Sequence, residues 1–241
     1  CSNKVKPCPI WGICYKGNMT RQIQIAPEEF YHLYNRGVEK RKIFLCRADY
    51  ERFEALLYLA NQSEPADLKY QGRSFAEICN VRTGDPLVEI VAYCLMSNHF
   101  HLLVRECVEG GIAKFMQKVT TGYTMYFNKR NGRSGALFEG TYKAKHVSDD
   151  RYFRYLVSYI HLNPVKLFDS KWKENGIKDR AGAERYLTHY VHSSYLDYVG
   201  KERVQALILE KKTLVDIFPS AGDFKNCVIE WLTYAQQQNK V

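Results

Sequence analysis

The chain has 241 residues, 46% hydrophobic and 25% charged. That is enough to bury a core without disulfide staples and too apolar for disorder along its whole length. No stretch approaches the ~18 uninterrupted apolar residues of a membrane span, which excludes an integral membrane protein. Lysine and arginine number 35 against 26 acidic residues, and the resulting net charge of +9 favours an anionic partner, nucleic acid being the commonest.

At the start, Lys4 and Lys6 precede a short apolar stretch flanked by Pro7 and Pro9, which faintly resembles a signal peptide without a small-residue cleavage site. Residue 1 is not Met, whereas Met19 leads into well-patterned sequence. Residues 1–18 are therefore expected to be an upstream extension outside the fold, the alternative being a genuine N-terminal arm. The eight cysteines form no Cys-x-x-Cys pair. Cys1, Cys8 and Cys14 crowd the first segment; Cys46, Cys79, Cys94 and Cys107 lie in apolar contexts and read as buried thiols in a reducing compartment.

Glu29 to Arg36, with the aromatic-rich run Phe30-Tyr31-His32-Leu33-Tyr34, reads as a first strand ended by Gly37. Asp49 is a candidate cap for a helix over Tyr50 to Asn61, with Phe53, Leu56, Leu57 and Leu59 on a helical period. Gln62 to Pro86 is polar and reads as connection or short helix. Val88 to Met96 is β-branched and apolar, Ser97-Asn98 signals a turn, and His99 to Arg105 follows as the second arm of an antiparallel hairpin. After Gly110-Gly111, one face of a long helix carries Ile112, Phe115, Met116, Val119, Tyr123, Tyr126 and Phe127. A glycine-rich basic loop comes next, then a strand over Tyr142 to Val147. Asp149-Asp150 caps a helix from Arg151 to about Leu162, stopped by Pro164, with Tyr152, Leu156, Val157 and Ile160 as its core stripe. Beyond Gly200, helices are expected near Arg203 to Leu214 and Phe224 to Gln238. These elements predict an α+β sandwich: a main domain over 19–200 and a helical C-terminal tail over 201–241.

Asn98-His99-Phe100-His101 is the sharpest local feature. Side chains alternate along a strand, so His99 and His101 share one face, roughly 7 Å apart along the backbone, and Phe100 points to the other. Two imidazoles so placed suit one divalent metal; two unrelated histidines give the same pattern. Tyr155, Tyr159 and Asn163 fall at i, i+4 and i+8 of a helix and share a face, so a phenol and an amide can address one small site. With 18 tyrosines in the chain, packing is the commoner fate of any one of them.

Together these two features resemble a known family. His99-Phe100-His101 looks like the HUH motif, and Tyr159-Ile160-His161-Leu162-Asn163-Pro164 looks like the tyrosine-helix signature of single-tyrosine HUH transposases. The branch most similar is that of the REP-associated tyrosine transposases and their insertion-sequence relatives. Tyr31-His32-Leu33-Tyr34-Asn35-Arg36-Gly37, Tyr123 to Asn128, and Gly135-Ala136-Leu137-Phe138-Glu139-Gly140 with Tyr142-Lys143 fit the same branch. The resemblance runs from about Phe30 to Pro164, more weakly to Ser194-Tyr195 and Tyr198. Thr141 departs from the pattern, standing where many members have Arg, which puts one phosphate contact in doubt or shifts it to Lys143 or Lys145.

The resemblance implies a ferredoxin-like antiparallel sheet flanked by helices, with 19–200 as the catalytic domain. It implies that Tyr159 is the nucleophile, that His99, His101 and Asn163 bind Mg²⁺ or Mn²⁺, and that the substrate is single-stranded DNA beside a hairpin. Cleavage would release a 3′-hydroxyl and leave a 5′-phosphotyrosine from which strands are rejoined. Arg36, Lys129, Arg130, Arg133, Lys143 and Lys145 are candidates for the DNA backbone, with Tyr123, Tyr126 and Phe138 as stacking surfaces or core. His161 is a candidate base or DNA contact, or a satisfied surface histidine. The implied protein is cytoplasmic and bacterial, nucleoid-associated when bound to DNA, without a membrane partner, and a monomer or homodimer. The competing readings are a catalytically retired module that binds structured DNA or RNA, and, lower, a zinc hydrolase on the His pair.

Overall fold

The structure is a computed structural model that describes residues 24–64, 75–78 and 84–238, with backbone alone for 76 and 233–238. The expected extension, the start at Met19, and Cys1, Cys8, Cys14 and Cys79 lie outside the described residues. Among the described residues four antiparallel strands, β1 (Phe30–Arg36), β2 (Val88–Met96), β3 (His99–Glu106) and β4 (Lys143–His146), form one sheet in the order β2-β3-β1-β4. With α1 (Arg47–Leu59) between β1 and β2, and α3 (Gly111–Arg130) between β3 and β4, the chain follows the βαββαβ course of a ferredoxin-like sheet. Between α1 and β2, α2 (Phe75–Ile78) is a single turn. The α+β expectation holds.

Period-two alternation divides the sheet's side chains between two apolar layers. Tyr31, Leu33, Phe100, Leu102 and Val104 face α1 and α3, meeting Phe53, Phe115, Val119 and Tyr123. Leu103, Cys94 and Met96 face the opposite layer, built on α4 (Asp150–Leu162). β2 is buried along nearly its whole length because it is covered on both faces, which is why it reads as a continuous apolar run. A register shift between Ile90 and Ala92 interrupts its pairing with β3.

Behind α4 come α5 (Val165–Phe168), α6 (Trp172–Asn175), α7 (Arg180–Leu187), α8 (Tyr195–Tyr198), α9 (Lys212–Ile217) and α10 (Ala221–Gln238). Phe224, Val228 and Leu232 of α10 join the α4 layer. The single helix expected over Arg203 to Leu214 is instead a 3-10 turn (Val204–Ile208) and α9. The chain between them is extended at Leu209, and Glu210 N–H donates to the Ile90 carbonyl at 2.9 Å, so pairing with the irregular stretch of β2 replaces helix there.

Further expectations change. Asp49 is not the cap of α1: it lies within the first turn and accepts from the Leu45 and Cys46 amides at 2.8 and 3.3 Å, in a capping box with Cys46 at the cap. Phe153, not Tyr152, completes the buried stripe of α4, while Asp149 caps the helix as expected, accepting from Tyr152 N–H at 2.8 Å. Of the four thiols read as buried, Cys94 is buried and Cys46 and Cys107 are half-exposed. No helix among the described residues is long and apolar enough to cross a membrane.

Candidate active site

β1 and β3 lie side by side with Tyr34 opposite His101 and Arg36 opposite His99. Alternation therefore puts His32, Tyr34, His99 and His101 on the face that α4 covers. Phe100 points the other way, into the α1/α3 layer, where it meets Phe53 and Phe138. The turn from Gly37 to Ile43 wraps the hairpin tip: Gly37 N–H donates to the Asn98 carbonyl at 2.9 Å and Ile43 N–H to the Ser97 carbonyl at 2.8 Å. A Cβ at residue 37 would collide with the Arg41 carbonyl, so only glycine lets this turn close on the tip.

On α4, Tyr155, Tyr159 and Asn163 share one face as expected. The Tyr155 and Tyr159 rings are 6.0 Å apart, and Asn163 Nδ2 donates to the Tyr159 carbonyl at 2.8 Å. The Tyr159 ring meets the His101 ring edge-on at 5.4 Å and the His32 ring at 6.0 Å. His99 and His101 are 5.1 Å apart, ring centre to ring centre. The sheet thus contributes the imidazoles, and the helix contributes the phenol and the amide one turn apart.

Burial sets the protonation of this cluster. It pushes His99 down to about 4, with Lys166, Lys173 and Arg36 adding to the effect and Asn163 opposing it. It pushes His32 down to about 3, helped by Lys145, and holds His101 well below the ordinary imidazole range, with His32 and His99 as further causes. All three rings are neutral at pH 7. The Tyr159 hydroxyl is raised above the ordinary phenol range by burial, with Tyr34 and Tyr152 adding and Asn163 opposing. Tyr159 is therefore a protonated phenol at pH 7.

His99, His101 and Asn163 would fit a divalent cation. Two neutral imidazoles offer nitrogen lone pairs and the amide an oxygen, a donor set that brings no negative charge. Among the described residues no cluster of three His, Cys, Asp or Glu side chains offers a competing centre.

Cations ring the site. Lys145 is opposite His32 and Lys143 opposite Tyr34 in the β1–β4 pairing, both on the site's face. Lys145 Nζ rests 4.7 Å from the Tyr152 ring centre. Arg36, at the end of β1, is tied to Glu139 by a two-pronged exposed ion pair. Two cations that sequence reasoning missed, Lys166 and Lys173, approach from the segment after Pro164; Lys173 Nζ lies 4.6 Å from the Tyr159 ring centre. No local pattern in that segment marks them. His32 was also missed as a site residue, although the alternation of β1 puts it on the face of Tyr34.

The remaining basic candidates are elsewhere. Lys129, Arg130 and Arg133 sit at the end of α3 and in the loop after it, on the layer opposite the site. Arg130 reaches the Tyr126 hydroxyl at 2.6 Å and buried Asp49 at 3.3 Å, and Arg133 donates to the Ala136 carbonyl at 3.0 Å. Two of the three stacking candidates are core: Tyr123 and Phe138 are buried, and the Tyr123 hydroxyl donates to the Ile43 carbonyl. Tyr126 packs partly buried against the same core. His161 is neither a DNA contact nor a surface residue. It is buried on the far side of α4, with Nδ1–H donated to the Val157 carbonyl and Nε2 2.8 Å from the Ser194 hydroxyl.

Residues 69–163 match the family model of the IS200-like transposases. That span holds β2, β3, α3, β4 and α4, with His99, His101, Tyr159 and Asn163 all inside it, so the family resemblance holds over the segment that carries the motifs. Among solved structures, a REP-associated tyrosine transposase bound to a REP hairpin is similar at 12% identity and a TM-score of 0.49, over 78% of this chain and 90% of that one. No curated protein sequence matches.

Proposed function

We propose that the chain is a transposase that binds hairpin DNA and cleaves and rejoins single strands beside the hairpin, with Tyr159 as nucleophile. The observation that carries this reading is the meeting of the Tyr159 and His101 rings at 5.4 Å, inside the segment that matches the IS200-like transposases. A net charge of +9 suits so anionic a partner.

The Tyr159 oxygen attacks the scissile phosphorus, the phosphorus–O3′ bond breaks, and the phenolic proton leaves. The products are a free 3′-hydroxyl and a 5′-phosphotyrosine, and attack by another 3′-hydroxyl reverses the step without ATP. Burial keeps Tyr159 oriented, and neutral His99 and His101 leave the site without a fixed charge of their own. Mg²⁺ or Mn²⁺ held by His99, His101 and Asn163 would supply positive charge to the phosphoryl oxygens. Lys143, Lys145 and Lys173 surround the same place with side-chain cations.

The test is a denaturing gel of the chain with labelled hairpin oligonucleotides drawn from the flanks of its own gene, with Mn²⁺ and with chelator. A metal-dependent shifted band that disappears in Tyr159→Phe is expected. Salt-sensitive binding with no adduct on any flanking hairpin overturns the proposal in favour of a binding module without cleavage.

A further inference from the structure

We propose that His32 and Asn98 are positioning residues that hold His101 and His99 as Nδ1–H tautomers, so that both Nε2 lone pairs are free for the cation. The proposal rests on the reading of the His pair as the cation site. Neither role is carried by the spacing of the motif, and His32 lies outside the segment that matches the transposase family.

For His99 the tautomer follows from the hydrogen bonds. Asn98 Nδ2 donates to the Lys40 carbonyl at 3.2 Å, and a carbonyl can only accept, so the amide's orientation is set. Its Oδ1 then faces His99 Nδ1 at 2.7 Å, and Oδ1 can only accept too. His99 therefore carries its proton on Nδ1. With Nδ1 committed to Asn98, Nε2 is the nitrogen of His99 left for the cation. The chain of constraint runs back to Gly37, whose turn presents the Lys40 carbonyl to the hairpin tip.

For His101 the partner is another imidazole. His101 Nδ1 lies 2.9 Å from His32 Nε2, and the two rings stack 5.0 Å apart at 28°. Both are buried, at 6% and 7% exposure, so water cannot replace this bond. With Nδ1 engaged, Nε2 is the nitrogen of His101 left for another partner. A cation on His101 Nε2 requires His101 to be the donor and His32 the acceptor in this bond. Histidine ligands commonly donate their second ring N–H to an outer partner, which fixes ring orientation and raises ligand basicity. Here the two outer partners come from different elements: His32 from the neighbouring strand, and Asn98 from the hairpin turn itself.

The experiment has two arms. Long-range ¹H–¹⁵N spectra of the histidines, in chelator at pH 7.5, read the tautomers without any cation. His99 and His101 are expected to show protonated Nδ1 and bare Nε2; a proton on Nε2 of either ring overturns the proposal for that ring. The second arm titrates Mn²⁺ by electron paramagnetic resonance into wild type, His32→Phe, His32→Gln, Asn98→Ala and His101→Ala, each checked for native circular dichroism. His32→Phe keeps an aromatic ring without a lone pair and is expected to weaken Mn²⁺ by about 10- to 100-fold, as is Asn98→Ala. His32→Gln restores an acceptor and is expected to recover most of the affinity. Wild-type affinity in His32→Phe overturns the positioning role. A loss in His32→Gln as deep as in His101→Ala overturns it in favour of His32 as a direct ligand. A wild-type chain that binds no Mn²⁺ while showing both expected tautomers overturns the cation-site reading instead, and that result is distinct from the others.

Discussion

The ammonium of Lys173 lies 4.6 Å from the centre of the Tyr159 ring, on a four-residue helix that follows the proline ending the tyrosine helix. In the proposed reaction a cation at that place would stabilise both the negative charge that a departing proton leaves on the phenol and an incoming phosphate. Burial, with Lys166 adding to it, pushes the Lys173 amine down to about 8, and Glu174 opposes the shift. The charge is therefore present at pH 7 and lost as pH rises through about 8. Cleavage by wild type is expected to decline above that pH, and Lys173→Arg is expected to remove the decline. Lys173→Met should slow adduct formation by about 100-fold at pH 7. Single-turnover rates from about pH 6.5 to about 9.5, spanning the lysine's titration, check both; a Lys173→Met chain with the wild-type rate and profile refutes the role.

Tyr155 and Tyr159, one turn apart on α4, separate cleanly. Tyr155 packs edge-on against Trp231 at 4.9 Å, toward α10, whereas Tyr159 meets the histidines. Tyr155→Phe is expected to form the covalent adduct at near the wild-type level, and Tyr159→Phe to form none while binding the hairpin with unchanged affinity. A gel and a filter-binding titration on the same samples decide this. An adduct in Tyr159→Phe that vanishes in the double variant moves the nucleophile to Tyr155.

Basic residues on opposite layers should respond differently to salt. Each phosphate contact on a single strand contributes about 0.7 to the slope of log affinity against log salt. Replacing both Lys143 and Lys145 by Ala is expected to reduce that slope by about 1.4, since both flank the site. Arg130→Ala is expected to leave the slope unchanged and to lower the melting temperature, because Arg130 serves buried Asp49 and the Tyr126 hydroxyl. Affinities at four salt concentrations, with melting curves, test the contrast. A reduced slope in Arg130→Ala would move the DNA path onto α3.

His161 makes the fold sensitive to acid. Its ring is pushed down to about 4 by burial, against an unfolded value near 6.5. The unfolded chain binds the extra proton between those values, so the contribution is complete above about pH 6.5 and is lost as pH falls toward about 4. The loss amounts to about 2 kcal/mol between pH 7.5 and pH 5. Urea midpoints at these two pH values, in chelator, should show a smaller difference in His161→Gln than in wild type. An identical difference would remove His161 from the acid response.

Much of the site was legible because its strongest signals are local. The apolar runs on either side of Ser97-Asn98 define the hairpin, and the Asp149 cap and Pro164 stop define the tyrosine helix. What escaped depends on contacts between elements distant in sequence. His32 joins the site only because β1 pairs with β3 in one register, and Lys173 only because the short helices after Pro164 fold back over α4. The Arg203 to Leu214 helix failed for the same reason, since pairing with β2 outweighs local helical preference at Glu210. His161 looked like chemistry because it sits two residues from Tyr159 in sequence; a shift of two positions on a helix turns it to the far side.

The helix that carries Tyr159 is held from behind by α10, through Phe224, Val228 and Leu232, and by the Tyr155–Trp231 contact. The ribosome makes α10 well after α4, so a growing chain has its histidines and tyrosine long before it has the support that seats the tyrosine helix on the sheet. Under the proposed function, the packing of α10 against α4 is the last contact the growing chain can add behind Tyr159.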